Sequence, residues 1–151
     1  KRINQYIRID EKIPISATNI HWIKNEDLLK YWYIDNYIDS FIEYLKKADY
    51  VVWHNIIFDL NMIKSEAKRT WKYEEWMSNI RWVDTMEPTT ELVNWKYWKW
   101  PKLRELYIFL FWHNFENTHD AMADIEATKD CFIELCKKYN FYENWTFKTA
   151  I

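Results

Sequence analysis

Apolar and polar positions alternate through Ile3-Asn4-Gln5-Tyr6-Ile7-Arg8, which predicts a strand, and Pro14 ends the extended run. Asn25, followed by Glu26 and Asp27, offers a helix cap with acidic residues in the first turn. From Ile34 the apolar positions Ile34, Ile38, Phe41, Ile42 and Leu45 keep the spacing of one helical face. A short apolar strand follows around Val51 and Val52, then a helix over 58–69, a strand over 80–86 and a helix over 102–111. The longest predicted element runs from Ala121 to Tyr139, with Ile125, Thr128, Phe132 and Leu135 as its apolar stripe. There is no internal repeat and no low-complexity segment. Strands alternating with helices predict an α/β sandwich, and 151 residues suit one domain.

Composition narrows the class. Hydrophobic residues at 49% and charged residues at 29% fit a globular protein, and no uncharged run approaches the roughly 20 residues of a membrane helix. A net charge of −2 gives no global attraction to nucleic acid, so such binding has to rest on a local site. Cys131 and Cys136, five apart, have neither zinc nor redox spacing and favour a reducing, cytoplasmic compartment. The opening Lys1-Arg2, without an initiator Met, suggests a truncated or processed start.

The chain has 11 Trp and no Gly, where average usage predicts about ten or eleven Gly. Trp71 and Trp112 follow helices, where a left-handed residue is usual. Trp95 and Trp145 each follow Asn, where turn chemistry favours Asn-Gly, and Trp53 sits where a strand ends. Trp98 and Trp100 flank one lysine in the basic, Pro-broken stretch 96–103. A bulky residue at positive φ costs roughly 1–3 kcal/mol. The reading that follows is that Trp stands in the places of Gly, as it would if UGA codons meaning Gly were translated as Trp.

Two groups of residues carry chemistry. His54, Asn55, Phe58 and Asp59 lie where a strand ends and a helix begins, so Asp59 can project from the first turn into a site at the strand's end. Alternatively, Asp59 complements the helix dipole. His119 and Asp124 are five apart and cannot share a helical face. Placing His119 in the loop before the helix and Asp124 on its second turn lets a general base fold over a metal-binding carboxylate. The bland counterpart is a surface His beside an acidic helix start that includes Asp120 and Glu126.

Together these motifs resemble the DEDDh (DnaQ-like) family of 3′–5′ exonucleases. Residues 17–23 look like its A-x-x-x-HGI segment with Trp22 in the Gly place. Residues 51–63 look like its V-x-GHN-x-x-FD motif with Trp53 in the Gly place. Residues 117–128 look like its H-x-A-x-x-D motif, and 102–115 look like the preceding helix, with Trp112 again in a Gly place. The resemblance spans about residues 3 to 139. It implies an α/β, ribonuclease H-like fold, a mixed sheet flanked by helices, and two Mg²⁺ or Mn²⁺ ions held by four carboxylates. One ion would help generate the attacking hydroxide and the other would stabilise the leaving oxygen. By position, Asp59 and Asp124 match metal ligands and His119 the general base, while Asn55, Phe58, His21 and Ile23 match contacts to the terminal nucleotide.

The family's first motif, Asp-x-Glu on the opening strand, has no counterpart here. Asp10 and Glu11 are adjacent at a strand end, and Asp84, on a late strand, reads as a cap or a solvent-facing residue. The expectation is therefore an N-terminally incomplete exonuclease domain that lacks its first strands and is inactive alone. Its substrates would be single-stranded or frayed 3′ ends of DNA or RNA, and a DNA polymerase subunit is a possible partner. The alternative is a non-catalytic module that binds nucleic-acid ends or a polymerase. A third reading takes the 20% aromatic content as a stacking surface, and it loses its basis if the Trp stand for Gly.

Overall fold

The computed structural model describes residues 2–94, 99–116, 120–141 and 148–149. Helices α1 (Ile15–His21), α2 (Asn25–Leu28) and α3 (Ile38–Lys47) precede strand β1 (Val51–Trp53). Helix α4 (Ile56–Arg69) leads to β2 (Arg81–Asp84), then α5 (Thr90–Asn94), α6 (Leu103–Phe111), α7 (Ala121–Tyr139) and β3 (Lys148–Thr149). The sheet has three strands in the order β1-β2-β3. β1 runs parallel to β2, with Val51 opposite Trp82, Val52 opposite Val83 and Trp53 opposite Asp84. β3 pairs antiparallel to β2.

Strand side chains alternate between faces, and the core divides accordingly. Val51 and Trp82 join Ile38, Ile42, Leu45, Ile56, Leu60 and Met77 on one face, under α3 and α4. Val83, with Val52 packed beside it, joins Leu106, Leu110, Cys131 and Leu135 on the other, under α6 and α7. Each buried aliphatic side chain contributes roughly 1.5–3 kcal/mol. Neither Cys131 nor Cys136 is in a disulfide, and burial pushes the Cys131 thiol up to about 12. Among the described residues no helix is long and apolar enough to cross a membrane.

Several expectations are corrected. Residues 3–8 form no strand; the Arg8 amide donates to the Trp32 carbonyl at 3.0 Å, and that segment joins no ladder. Asn25 is the first residue of α2 rather than its cap. Its side chain instead accepts from the Ile13 amide at 2.9 Å and donates to the Glu11 carbonyl at 2.8 Å, tying the N-terminal segment down. On α7 the buried stripe is Ala127, Thr128, Cys131 and Leu135, while Ile125 is exposed.

The tryptophans separate by conformation. Trp22, Trp71 and Trp112 have φ of 61°, 57° and 65°. They are 81%, 94% and 88% exposed, so their rings offset none of the left-handed backbone cost by packing. Trp53 differs: it ends β1 in ladder register, packs against the core, and does not have positive φ. Its backbone makes no demand for Gly. Trp95, Trp98 and Trp145 lie outside the described residues.

Candidate functional site

Parallel pairing brings the C-terminal ends of β1 and β2 together, and the chain turns sharply after each. After β1, Asn55 adopts φ 72° and ψ 49°, a left-handed conformation that Asn tolerates better than most residues, and α4 begins at the next residue. The Asn55 amide donates to Asp84 Oδ1 at 3.0 Å, and the Met86 amide donates to the same oxygen at 2.7 Å. Asp84 is only 8% exposed. The solvent-facing alternative for this residue is therefore corrected: it is a buried acceptor that stitches the two strand ends together.

His54 braces the same corner. Its Nδ1 lies 3.0 Å from Thr85 Oγ1 and its Nε2 lies 2.9 Å from the Pro101 carbonyl oxygen. A carbonyl only accepts, so Nε2 carries a proton. Burial holds the ring below the ordinary imidazole value, against opposing pulls from the Pro101 carbonyl and from Asp84, Asp124 and Glu105. The neutral ring therefore accepts at Nδ1 from the Thr85 hydroxyl. The Thr85 amide in turn donates to the Trp53 carbonyl at 2.9 Å.

Asp59 is the fourth residue of α4 and is half-buried. Burial raises its carboxyl above the ordinary range, its own backbone amide opposes this, and the charge of Asp84 adds to the rise. Asp124 is the fourth residue of α7, in the first turn rather than the second. Asp120 caps that helix by accepting from the Met122 and Ala123 amides, each at 3.0 Å. α7 packs on β1, which brings Asp124 within electrostatic reach of His54. Carboxylates from α4, β2 and α7 thus approach one corner of the fold.

The remaining expected site residues are placed as follows. Asn55 and Phe58 are exposed beside Asp59. His21 ends α1, its Nδ1 accepts from the Ile23 amide at 3.0 Å, and Thr18 Oγ1 donates to the Ile23 carbonyl at 3.1 Å. These bonds are local and hold the segment around Trp22. Asp10 is exposed, accepts from the Tyr33 hydroxyl at 2.8 Å, and lies on no strand. His119 lies outside the described residues.

Among the described residues, no group of three or more His, Cys, Asp or Glu side chains is placed to hold a metal ion. Asp59 and Asp124 therefore do not complete a two-ion site with the other described residues. Residues 1–132 match the family model described as Exonuclease, a span that includes Asp59, Asp84, His119 and Asp124. No curated protein matches the chain.

Proposed function

The chain belongs to the exonuclease family, and we propose that it is the nuclease domain of a 3′–5′ exonuclease that hydrolyses the terminal phosphodiester of DNA or RNA. The family's substrates are nucleic acids and its domains generally use divalent metal ions. The observation that carries the reading is the approach of Asp59 and Asp124, from two helices, to the joined ends of β1 and β2. Ligands of open α/β sheets bind at such strand ends. Asp59 is already disfavoured as an anion by burial and by Asp84, so a cation beside it relieves that cost.

In this reading Asp59 and Asp124 contribute carboxylates and His119 takes a proton from the attacking water. The water oxygen bonds to phosphorus as the P–O3′ bond breaks, the released O3′ takes a proton from solvent, and a nucleoside 5′-monophosphate leaves. Asn55, Phe58, His21 and Ile23 hold the terminal nucleotide. The remaining ligands would come from an Asp-x-Glu strand outside these 151 residues, seated against β1. That edge supports the idea, because among the described residues β1 pairs only with β2, and it borders an apolar groove of about 240 Å³ lined by Val52, Trp53, Ile125 and Phe132.

The test is a 5′-labelled single strand incubated with Mg²⁺ or Mn²⁺ and a chain extended to include the Asp-x-Glu motif. A ladder shortening from the 3′ end, lost in Asp124→Ala, is expected; shortening from the 5′ end, or an active Asp124→Ala, overturns the reading. The second reading is a non-catalytic module for nucleic-acid ends or a polymerase partner. It rests on the presence of only two of the family's four carboxylates at matching positions. It requires binding without hydrolysis in that same extended chain.

A further inference from the structure

We propose that Asp84 is a positioning residue for the site. By holding the left-handed amide of Asn55, it sets the direction in which the first turn of α4 presents Phe58 and Asp59. The proposal rests on the exonuclease reading of that corner.

A left-handed residue other than Gly persists only where its surroundings hold it. Asn55 gets no help from its own side chain, which makes no cap hydrogen bond. What holds it is its amide, 3.0 Å from Asp84 Oδ1. That oxygen is itself fixed, because the Met86 amide reaches it at 2.7 Å. The turn bearing Met86 is anchored in its own right: Thr89 Oγ1 donates to the Thr85 carbonyl at 2.7 Å, and Thr85 and Thr89 are fully buried. On the other side, the Thr85 amide donates to the Trp53 carbonyl at 2.9 Å. The chain from Asp84 to Asn55 is thus a rigid strut between two strand ends. Asp59 sits one helical turn beyond Asn55, so a rotation at Asn55 swings the carboxylate that the reaction needs. Ile56 and Leu60, both buried, anchor the inner face of α4, and the Asn55 turn sets how the chain enters that helix.

This role needs an acceptor oxygen at one point in space and needs no charge. Asp84→Asn keeps an oxygen there and loses the charge, while Asp84→Glu keeps the charge and moves the oxygen by one methylene. The experiment measures amide hydrogen exchange of Asn55 and Met86 by NMR in the full chain, and kcat and KM on a single strand in the extended chain. Expected is that Asp84→Asn keeps both within about threefold of the parent. Asp84→Glu and Asp84→Ala should speed Asn55 exchange by about tenfold or more and lower kcat comparably, with KM little changed. Asp84→Glu serves where Asp84→Ala fails to fold. Two results overturn the proposal: an Asn55 amide still protected in Asp84→Glu, or an Asp84→Asn protein with intact protection and lost turnover, which would make Asp84 a direct participant. If no parent chain cleaves nucleic acid, the exonuclease reading fails, and the exchange data still decide the role of Asp84.

Discussion

His54 Nε2 stands 2.9 Å from the Pro101 carbonyl oxygen, which ties the end of β1 to the segment entering α6 and fixes which ring nitrogen is protonated. The consequence is a pH dependence of stability. Burial lowers the folded imidazole value below that of the unfolded chain, so folding favours the neutral ring. Its contribution is fully present above the unfolded value of about 6.5 and is lost as pH falls from there toward the folded value. His54→Gln can still donate to Pro101 and does not titrate. Urea unfolding at pH 7.5 and pH 5.0 should show a larger acid loss in the parent than in His54→Gln; equal losses would mean that His54 is not the source.

Asp59 has the opposite sign. Burial first, then Asp84, raises its folded value, so the ionised carboxylate costs stability above the carboxylate range, and acidification through that range recovers it. Asp59→Asn should therefore raise the melting temperature at pH 7, with the gain disappearing below about pH 4. The same variant should have no nuclease activity in the extended chain. A lower melting temperature at pH 7 would show that the ionised carboxylate is favoured in the fold after all.

Trp22, Trp71 and Trp112 make a cleaner case for Gly than composition could. Each closes a helix or helix end at φ of 57–65°, and each is more than four-fifths exposed. Replacing any one by Gly should stabilise the fold by about 1 kcal/mol, the relief of a left-handed side-chain clash. Trp82 is the control: it is 8% exposed in the core, so Trp82→Gly should cost several kcal/mol, on the order of 3–5. Thermal melts of the four single variants give the sign directly. Destabilisation at all three caps would make them native tryptophans.

Much of the fold is legible in the amino-acid sequence. The bounds of α7, Ala121 to Tyr139, follow from periodicity, and the short runs at Val51 and Val83 are strands because both faces are covered. The left-handed caps at Trp71 and Trp112 follow from where the helices stop. Residues 3–8 misled because alternation describes a strand's faces and says nothing of a partner for its edges. Asp84 misled for a related reason. Its partner is the amide of Asn55, 29 positions away, and the contact exists only because Trp53 registers opposite Asp84. The dipeptide Asp84-Thr85 after an apolar strand is the local signal of this role.

The last prediction concerns the edge of β1 that no described strand covers. Val52 and Trp53 border an apolar groove shared with Ile125, Thr128, Lys129 and Phe132, while among the described residues only the other edge of β1 is hydrogen-bonded to a strand. An open edge beside apolar surface favours pairing with another chain. At the same corner, Asp59 and Asp124 are two carboxylates where two divalent ions call for more, because Mg²⁺ gives up water reluctantly. Both deficits are met by one strand that pairs with β1 and carries Asp-x-Glu. The 151 residues alone should therefore show negligible Mg²⁺- or Mn²⁺-dependent nuclease activity and a concentration-dependent tendency to self-associate. A chain extended by roughly 30–45 residues, two strands and a turn, should become monomeric and active together. Light scattering and the oligonucleotide assay, run on both forms, test the link. Robust metal-dependent cleavage by the 151 residues would show that another carboxylate, Asp84 first among them, completes the site.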